Sequence, residues 1–164
     1  MNYSTSCSCG KIEVAANFPS PIEEYQAREC DCDFCTSRGL SYLSDVNGII
    51  SFAPKETMNQ LKQSSGQATF WECDSCHDVV AVTNEKSGVV KGAVSKRLFA
   101  QHFKLKPSIT VSPKNLSASE KSDRLAEAYA QHRPLSSIII CHSHFFKCLW
   151  RGQCTLENNK AVLQ

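Results

Sequence analysis

Long apolar runs are missing from this sequence. The longest, Ile138-Ile139-Ile140-Cys141, falls far short of the ~18 residues that read as a membrane span. An excess of one charge is missing too: Lys+Arg 18 against Asp+Glu 16 leaves a formal +2, which argues against a nucleic-acid or polyphosphate binder. The opening Met1-Asn2-Tyr3-Ser4-Thr5-Ser6-Cys7 has neither the basic nor the apolar region of a secretory signal. Internal repeats and low-complexity segments are absent as well. These absences lead to the expectation of a cytoplasmic protein with no membrane partner. What is present is a globular balance, 41% hydrophobic and 21% charged over 164 residues, long enough to bury roughly two-thirds of its unfolded surface.

Seven glycines and six prolines punctuate short strand-like segments. Residues 11–15 alternate polar and apolar until Asn17-Phe18-Pro19-Ser20-Pro21 stops them. Residues 25–29 lead into Cys30, residues 48–52 are apolar and closed by Pro54, and residues 68–71 lead into Cys73. Residues 79–83 and 88–92 flank Asn84-Glu85-Lys86-Ser87 and read as a hairpin. Beyond about Pro113 the composition shifts. Ser117-Ala118-Ser119-Glu120 is a capping box, and Leu125, Ala128, Tyr129 and His132 recur at helical spacing, predicting a helix that Pro134 ends. Residues 136–146 read as one more strand, and 155–164 as a frayed polar tail. The fold expected is mainly β, a domain over 1–113 with a helix-containing C-terminal extension over 114–164 packed on it.

Against this ordinary background stand 10 cysteines. Their share, about 6%, is below that of disulfide scaffolds, and in a reducing compartment clustered cysteines read as metal ligands or redox groups. Seven fall into three tight groups: Cys7-Ser8-Cys9, Cys30-Asp31-Cys32-Asp33-Phe34-Cys35, and Cys73-Asp74-Ser75-Cys76. Spacings of one or two residues let one turn aim two sulfurs at a point ~2.3 Å from each, as tetrahedral zinc requires. Thiolates favour Zn²⁺ or an iron–sulfur cluster over Mg²⁺ or Ca²⁺. Seven ligands divide naturally as four plus three. Four thiolates saturate a structural ion, whereas three leave a position open for water or substrate. Cys30, Cys32 and Cys35 can supply three sulfurs alone, and the two pairs Cys7/Cys9 and Cys73/Cys76 can close a four-sulfur site. Spacing also allows mixed pairings, such as Cys7/Cys9 with Cys30/Cys32, and a fourth ligand for the trio from Asp31, Asp33 or a C-terminal histidine.

The order of these motifs, C-x-C-G, then C-x-C-x-x-C with Arg38-Gly39 shortly after, then C-x-x-C followed by a hairpin, resembles the glutathione-dependent formaldehyde-activating enzyme family. That family also includes the centromere protein V domains. The likeness runs from residue 3 to about 99. It implies a β-tent of small antiparallel sheets, with structural zinc on Cys7, Cys9, Cys73 and Cys76 and catalytic zinc on Cys30, Cys32 and Cys35. Asp31 and Asp33 stand where the family has His and a small residue, and His77 where it has Gly.

The resemblance implies a zinc-dependent carbon–sulfur lyase that forms S-hydroxymethylglutathione from formaldehyde and glutathione, its small-thiol partner. Three thiolates donate much charge to the ion, which weakens its Lewis acidity and favours delivery of a substrate thiolate. The alternative is a non-catalytic zinc-stabilised module that binds a thiol, protein or nucleic-acid partner. Cys141, His142 and His144, with Cys148 and Cys154, suggest a third metal site, but strand alternation puts Cys141 on the opposite face from the two histidines. His102 and His132 read as surface or helix-stripe residues, Phe70 and Trp71 as core, and Lys96, Arg97, Lys104 and Lys106 as solvated cations. An anionic thiol would need some cation near the open zinc.

Overall fold

The structure, a computed structural model, describes residues 1–63 and 66–133. β1 (Asn2–Ser6) and β2 (Glu13–Asn17) form an antiparallel hairpin, and β5 (Ile49–Ala53) pairs antiparallel with β2. β2 buries Val14 and Ala16 while exposing Glu13 and Asn17, the period-two pattern of a strand with one covered face. Between β2 and β5 lie β3 (Arg28–Cys30), the short helix α1 (Asp33–Ser37) and β4 (Ser41–Leu43), with β3 and β4 antiparallel. A meander follows: β6 (Met58–Lys62), β7 (Ala68–Cys73), β8 (Val79–Lys86) and β9 (Val89–Ser95). α2 (Lys96–Phe99) buries Leu98 and Phe99, and β10 (Ile109–Val111) pairs parallel with β3, which makes the sheet mixed. α3 (Ala118–Ala128) and β11 (Ala130–His132) end the described chain.

β9 is the junction. One edge pairs with β8 along its length, while the other pairs first with β11 and then with β4. Gly92 sits where these arms converge: a Cβ there would lie 2.6 Å from the Val82 carbonyl oxygen and 2.9 Å from Ile50 Cδ1. No larger residue fits without moving backbone.

The core forms two apolar clusters. One gathers Phe18, Phe52, Phe99 and Val80 with the sulfurs of Cys7 and Cys73; the other gathers Leu40, Tyr42, Phe70 and Val82 with Cys35. β8 feeds both, Val80 and Ala81 to the first and Val79 and Val82 to the second. Each group of cysteines therefore rests on its own apolar floor. Among the described residues no helix is long and apolar enough to cross a membrane.

The structure agrees with the mainly β reading and moves several boundaries. The β8–β9 turn is only Ser87-Gly88, both left-handed at φ 53 and 76; Asn84, Glu85 and Lys86 belong to the strand. Asn84 is buried there because its side-chain amide donates to the Gln67 carbonyl at 2.7 Å. The capping box forms as expected, the Ser117 N–H donating to Glu120 Oε2 at 2.8 Å and the Glu120 N–H to Ser117 Oγ at 3.4 Å. The helix, however, ends at Ala128 rather than at Pro134, and His132 lies on a strand. The gap between β5 and β9 explains this: the Gln131 and Arg133 N–H groups donate to the Gly48 and Ile50 carbonyls at 3.0 and 2.9 Å. Sheet hydrogen bonds and the complete burial of Ala130 outweigh continued helix propensity. The strand expected over 136–146 lies outside the described residues.

Candidate metal centres

Two hairpin tips build the first cluster. The β1–β2 turn carries Cys7 and Cys9, closed by a Gly10 N–H to Cys7 carbonyl bond of 2.8 Å with Gly10 at φ 76. The β7–β8 turn carries Cys73 and Cys76, closed by His77 N–H to the Cys73 carbonyl at 3.1 Å. His77 itself is left-handed, φ 59, a conformation that costs a Cβ-bearing residue roughly 1 kcal/mol and that glycine takes freely. The sulfurs of Cys7 and Cys9 are 3.5 Å apart, Cys9 and Cys73 3.6 Å, and Cys7 and Cys73 3.9 Å. Four sulfurs at the corners of a tetrahedron ~2.3 Å from one ion would be about 3.8 Å apart, whereas a disulfide needs ~2.05 Å. All seven clustered cysteines are free thiols. Cys7, Cys9, Cys73 and Cys76 thus have the spacing of a closed metal site and could hold an ion.

Asp78 ties the two tips together. Its Oδ2 accepts from the Ser8 N–H at 2.7 Å and from the Ser8 hydroxyl, and Arg97 lies 3.7 Å from its Oδ1. Burial opposes the charge of Asp78, but the Ser8 donors and the Arg97 cation outweigh it and hold the carboxyl below its usual range. The Ile12 N–H donates to Cys7 Sγ at 3.3 Å and fixes that sulfur from behind. Cys9 is pushed up to about 12: the Lys11 backbone N–H favours its thiolate, but desolvation and the neighbouring sulfurs of Cys7, Cys76 and Cys73 prevail. Crowded sulfurs resist losing protons unless a cation neutralises them.

The second cluster is not at a simple hairpin tip. Cys30 ends β3, Cys32 is the N-cap of α1 and Cys35 is buried one turn into that helix. Their sulfurs lie within 4.8 Å of one another, and among the described residues no Asp, Glu or His joins them. These three could hold an ion on one side only. Asp31 is occupied elsewhere, its Oδ2 accepting from Ser112 at 2.8 Å and facing Lys114 at 3.0 Å. A hydrogen bond from Cys35 lowers Cys30 to about 6 against the opposing effect of burial, and the same contact together with burial pushes Cys35 up. Like charges this close oppose one another, so three thiolates together require a cation.

The trio lines a cavity of about 440 Å³. Tyr42, Phe70, Val82 and Tyr129 form apolar parts of its wall, and Arg28, Lys114, Lys121 and Arg124 are its cations, with Glu127 a single acid among them. Arg28, Lys121 and Arg124 make no ion pair among the described residues. Lys121, Arg124 and Glu127 come from α3, so the C-terminal part of the chain completes this wall. A larger cleft, about 520 Å³, borders Arg38, Glu72, His77, Asp78 and Arg97 but contains no cysteine; the sulfur-bearing cavity is the chemically relevant one.

Sequence reasoning did not single out Asp78, Tyr42, Arg28, Lys121 or Arg124. Nothing local separates Asp78 from Asp74, or Arg124 from any other helix-surface cation. Phe70 is buried beside the trio, and Trp71 donates through Nε1 to Thr83 Oγ1 at 2.8 Å. Lys96 and Lys106 are engaged rather than simply solvated: Lys96 Nζ donates to the Lys106 carbonyl and Lys106 Nζ to that of Glu24, both at 2.8 Å. Cys141, His142, His144, Cys148 and Cys154 lie outside the described residues.

No protein-family model matches the chain, and no curated protein does. Among solved structures the chain is similar to the crystal structure of a Rhodobacter sphaeroides protein from structural genomics. The identity is 18% and the TM-score 0.47, over 66% of this chain and 100% of that one.

Proposed function

We propose that the protein is a two-site zinc protein: the four-sulfur site staples the fold, and the three-sulfur site receives a small anionic thiol. On this reading it is a carbon–sulfur lyase that makes or breaks a thiol–aldehyde adduct, and the family resemblance supports glutathione as the type of thiol. The observation that carries the proposal is the placement of three sulfurs, with no fourth ligand among the described residues, in a cavity that Arg28, Lys121 and Arg124 line without an ion pair among those residues. The donor set suits zinc, because soft thiolates select it over hard cations. Zinc bound there supplies positive charge and an open coordination position, which lowers the pKa of an incoming thiol.

The chain's own residues do the rest. Arg28, Lys121 and Arg124 draw in and orient the anionic groups of the thiol. Tyr42, Phe70 and Val82 exclude water around the reacting sulfur. In the forward direction the sulfur lone pair attacks the aldehyde carbon, the carbon–oxygen π pair moves to oxygen, and that oxygen takes up the proton the thiol gave away. Nothing is oxidised or reduced.

Zinc per chain and thiol binding test this. Wild type should carry two ions and a Cys30/Cys32/Cys35 triple Ser variant one. Cys32→Ser should unfold cooperatively near the wild-type midpoint and lose thiol binding. Cys73→Ser should fail to fold, since structural zinc contributes about 10–16 kcal/mol in zinc-finger peptides. If Cys32→Ser is as damaging to the fold as Cys73→Ser, and glutathione does not bind wild type, the proposal is wrong.

A further inference from the structure

The cavity contains a polar group that the fold leaves without a partner. Tyr42 is 7% exposed, and its hydroxyl has no hydrogen-bond partner among the described residues. It lines the same cavity as the trio and packs in one apolar cluster with Cys30, Cys32 and Cys35, its ring 6.3 Å from that of Phe70. A second group behaves alike: Gln67 Oε1 is buried with no hydrogen-bond partner among the described residues, and Gln67 also lines this cavity. Its backbone carbonyl, by contrast, is taken by Asn84. Buried unpaired polar atoms cost stability, and most buried groups in native proteins are paired. One donor and one acceptor, both on residues that line the cavity of the three sulfurs, form an arrangement that a polar ligand entering there would satisfy.

We infer that Tyr42 is a specificity-determining residue of the three-sulfur site. Its hydroxyl donates to an oxygen of the bound thiol, and Gln67 Oε1 accepts from an O–H or N–H of the same molecule. The inference rests on the thiol reading above and narrows it. The cavity selects thiols that carry a hydroxyl or amide near the sulfur and discriminates against alkyl thiols of equal size. Phenylalanine at position 42 would preserve the ring packing and the sulfurs but not the selection.

The test is Tyr42→Phe in the full zinc-loaded chain, with 2-mercaptoethanol and 1-propanethiol as size-matched probes that differ by a hydroxyl for a methyl. Calorimetric titration should show about a tenfold loss of affinity for 2-mercaptoethanol, the scale of one lost hydrogen bond, with affinity for 1-propanethiol unchanged or higher. Gln67→Leu should lower 2-mercaptoethanol affinity selectively as well. In urea without thiol, Tyr42→Phe should unfold at or above the wild-type midpoint, because the hydroxyl it removes makes no hydrogen bond among the described residues. A lowered midpoint, or failure to fold, would overturn the inference by showing that the hydroxyl has a structural partner. Equal loss for both probes, or no loss for either, would overturn it too. If wild type binds glutathione but neither probe, this inference falls alone; if it binds none of the three, the thiol reading itself falls and this inference with it.

Discussion

Asp78→Asn removes the charge from the clamp that joins the two hairpin tips while keeping its shape. In the wild type both Ser8 donors converge on one carboxylate oxygen, the N–H at 2.7 Å, in a residue only 7% exposed. Hydrogen bonds to a charged acceptor contribute roughly 1.5–3 kcal/mol each and neutral ones about 0.5–1.5, so neutralising the acceptor costs ~1 kcal/mol for each of the two. Arg97 adds less than ~1 kcal/mol, because its side chain is 68% exposed and the pair is 3.7 Å long. The expected loss of stability is about 2–3 kcal/mol. Because Ser8 lies between Cys7 and Cys9 and Asp78 follows Cys76 by two residues, the same loss loosens the four-sulfur site. Residues that orient ligands from behind are worth about 10–100-fold in metal affinity, and 2 kcal/mol corresponds to about 30-fold.

Urea unfolding gives the first number and competition against a chromophoric zinc chelator the second. The pH dependence adds a signature. Asp78 is held below its usual range in the folded protein, so its stabilisation is fully present above the unfolded value of ~3.9 and disappears as pH falls through the lower folded value. The gap between wild type and variant should be constant from pH 8 down to about 5 and close below ~4. A deficit under ~0.5 kcal/mol with zinc affinity unchanged would refute the clamp, since that is the scatter of ordinary surface substitutions.

Two further outcomes follow from other sites. Burial first, and the Lys55 charge second, lower His132 to about 4 on β11, where its ring lies 4.7 Å from that of Phe52. Its stabilising contribution is intact above ~6.5 and lost as pH falls through the folded value, at most on the order of 3 kcal/mol. Subtracting His132→Phe from wild-type urea midpoints at pH 7.5, 5.5 and 4.5 should reveal that slope, and parallel curves would contradict it. Gly92→Ala should cost about 2–4 kcal/mol in thermal melts, because its Cβ would meet backbone oxygen at 2.6 Å and Thr83 Cγ2 at 3.0 Å. A melt within a degree of wild type would show that the β9 junction has slack.

Local readings survived where a short stretch of chain determines its own conformation. The turn spacing of the cysteines, the capping box at Ser117 and the alternation around Val14 and Ala16 are of this kind. β1, β4, β6 and β10 went unrecognised because they are short and partly polar; they are strands because a neighbour offers a ladder, as β3 does for β10. Residues 130–132 show the same effect more sharply. Their helical spacing is real, yet the slot between β5 and β9 supplies hydrogen bonds that a helix cannot match there.

From the sequence alone one could determine that this chain carries sulfur chemistry and that seven thiols would sort into tight groups, because a C-x-C or C-x-x-C turn aims its sulfurs within a few residues. Which groups would meet was a question about contacts more than sixty residues apart: spacing left it open, the family resemblance implied one partition, and the packed sheet shows that grouping, with β1–β2 and β7–β8 bringing their tips together while β3 and α1 hold the trio apart. The cavity over that trio, its cations from α3 and the unpartnered hydroxyl of Tyr42 likewise exist only in three dimensions. Such surroundings arise from side chains contributed by distant strands, and no local pattern encodes them.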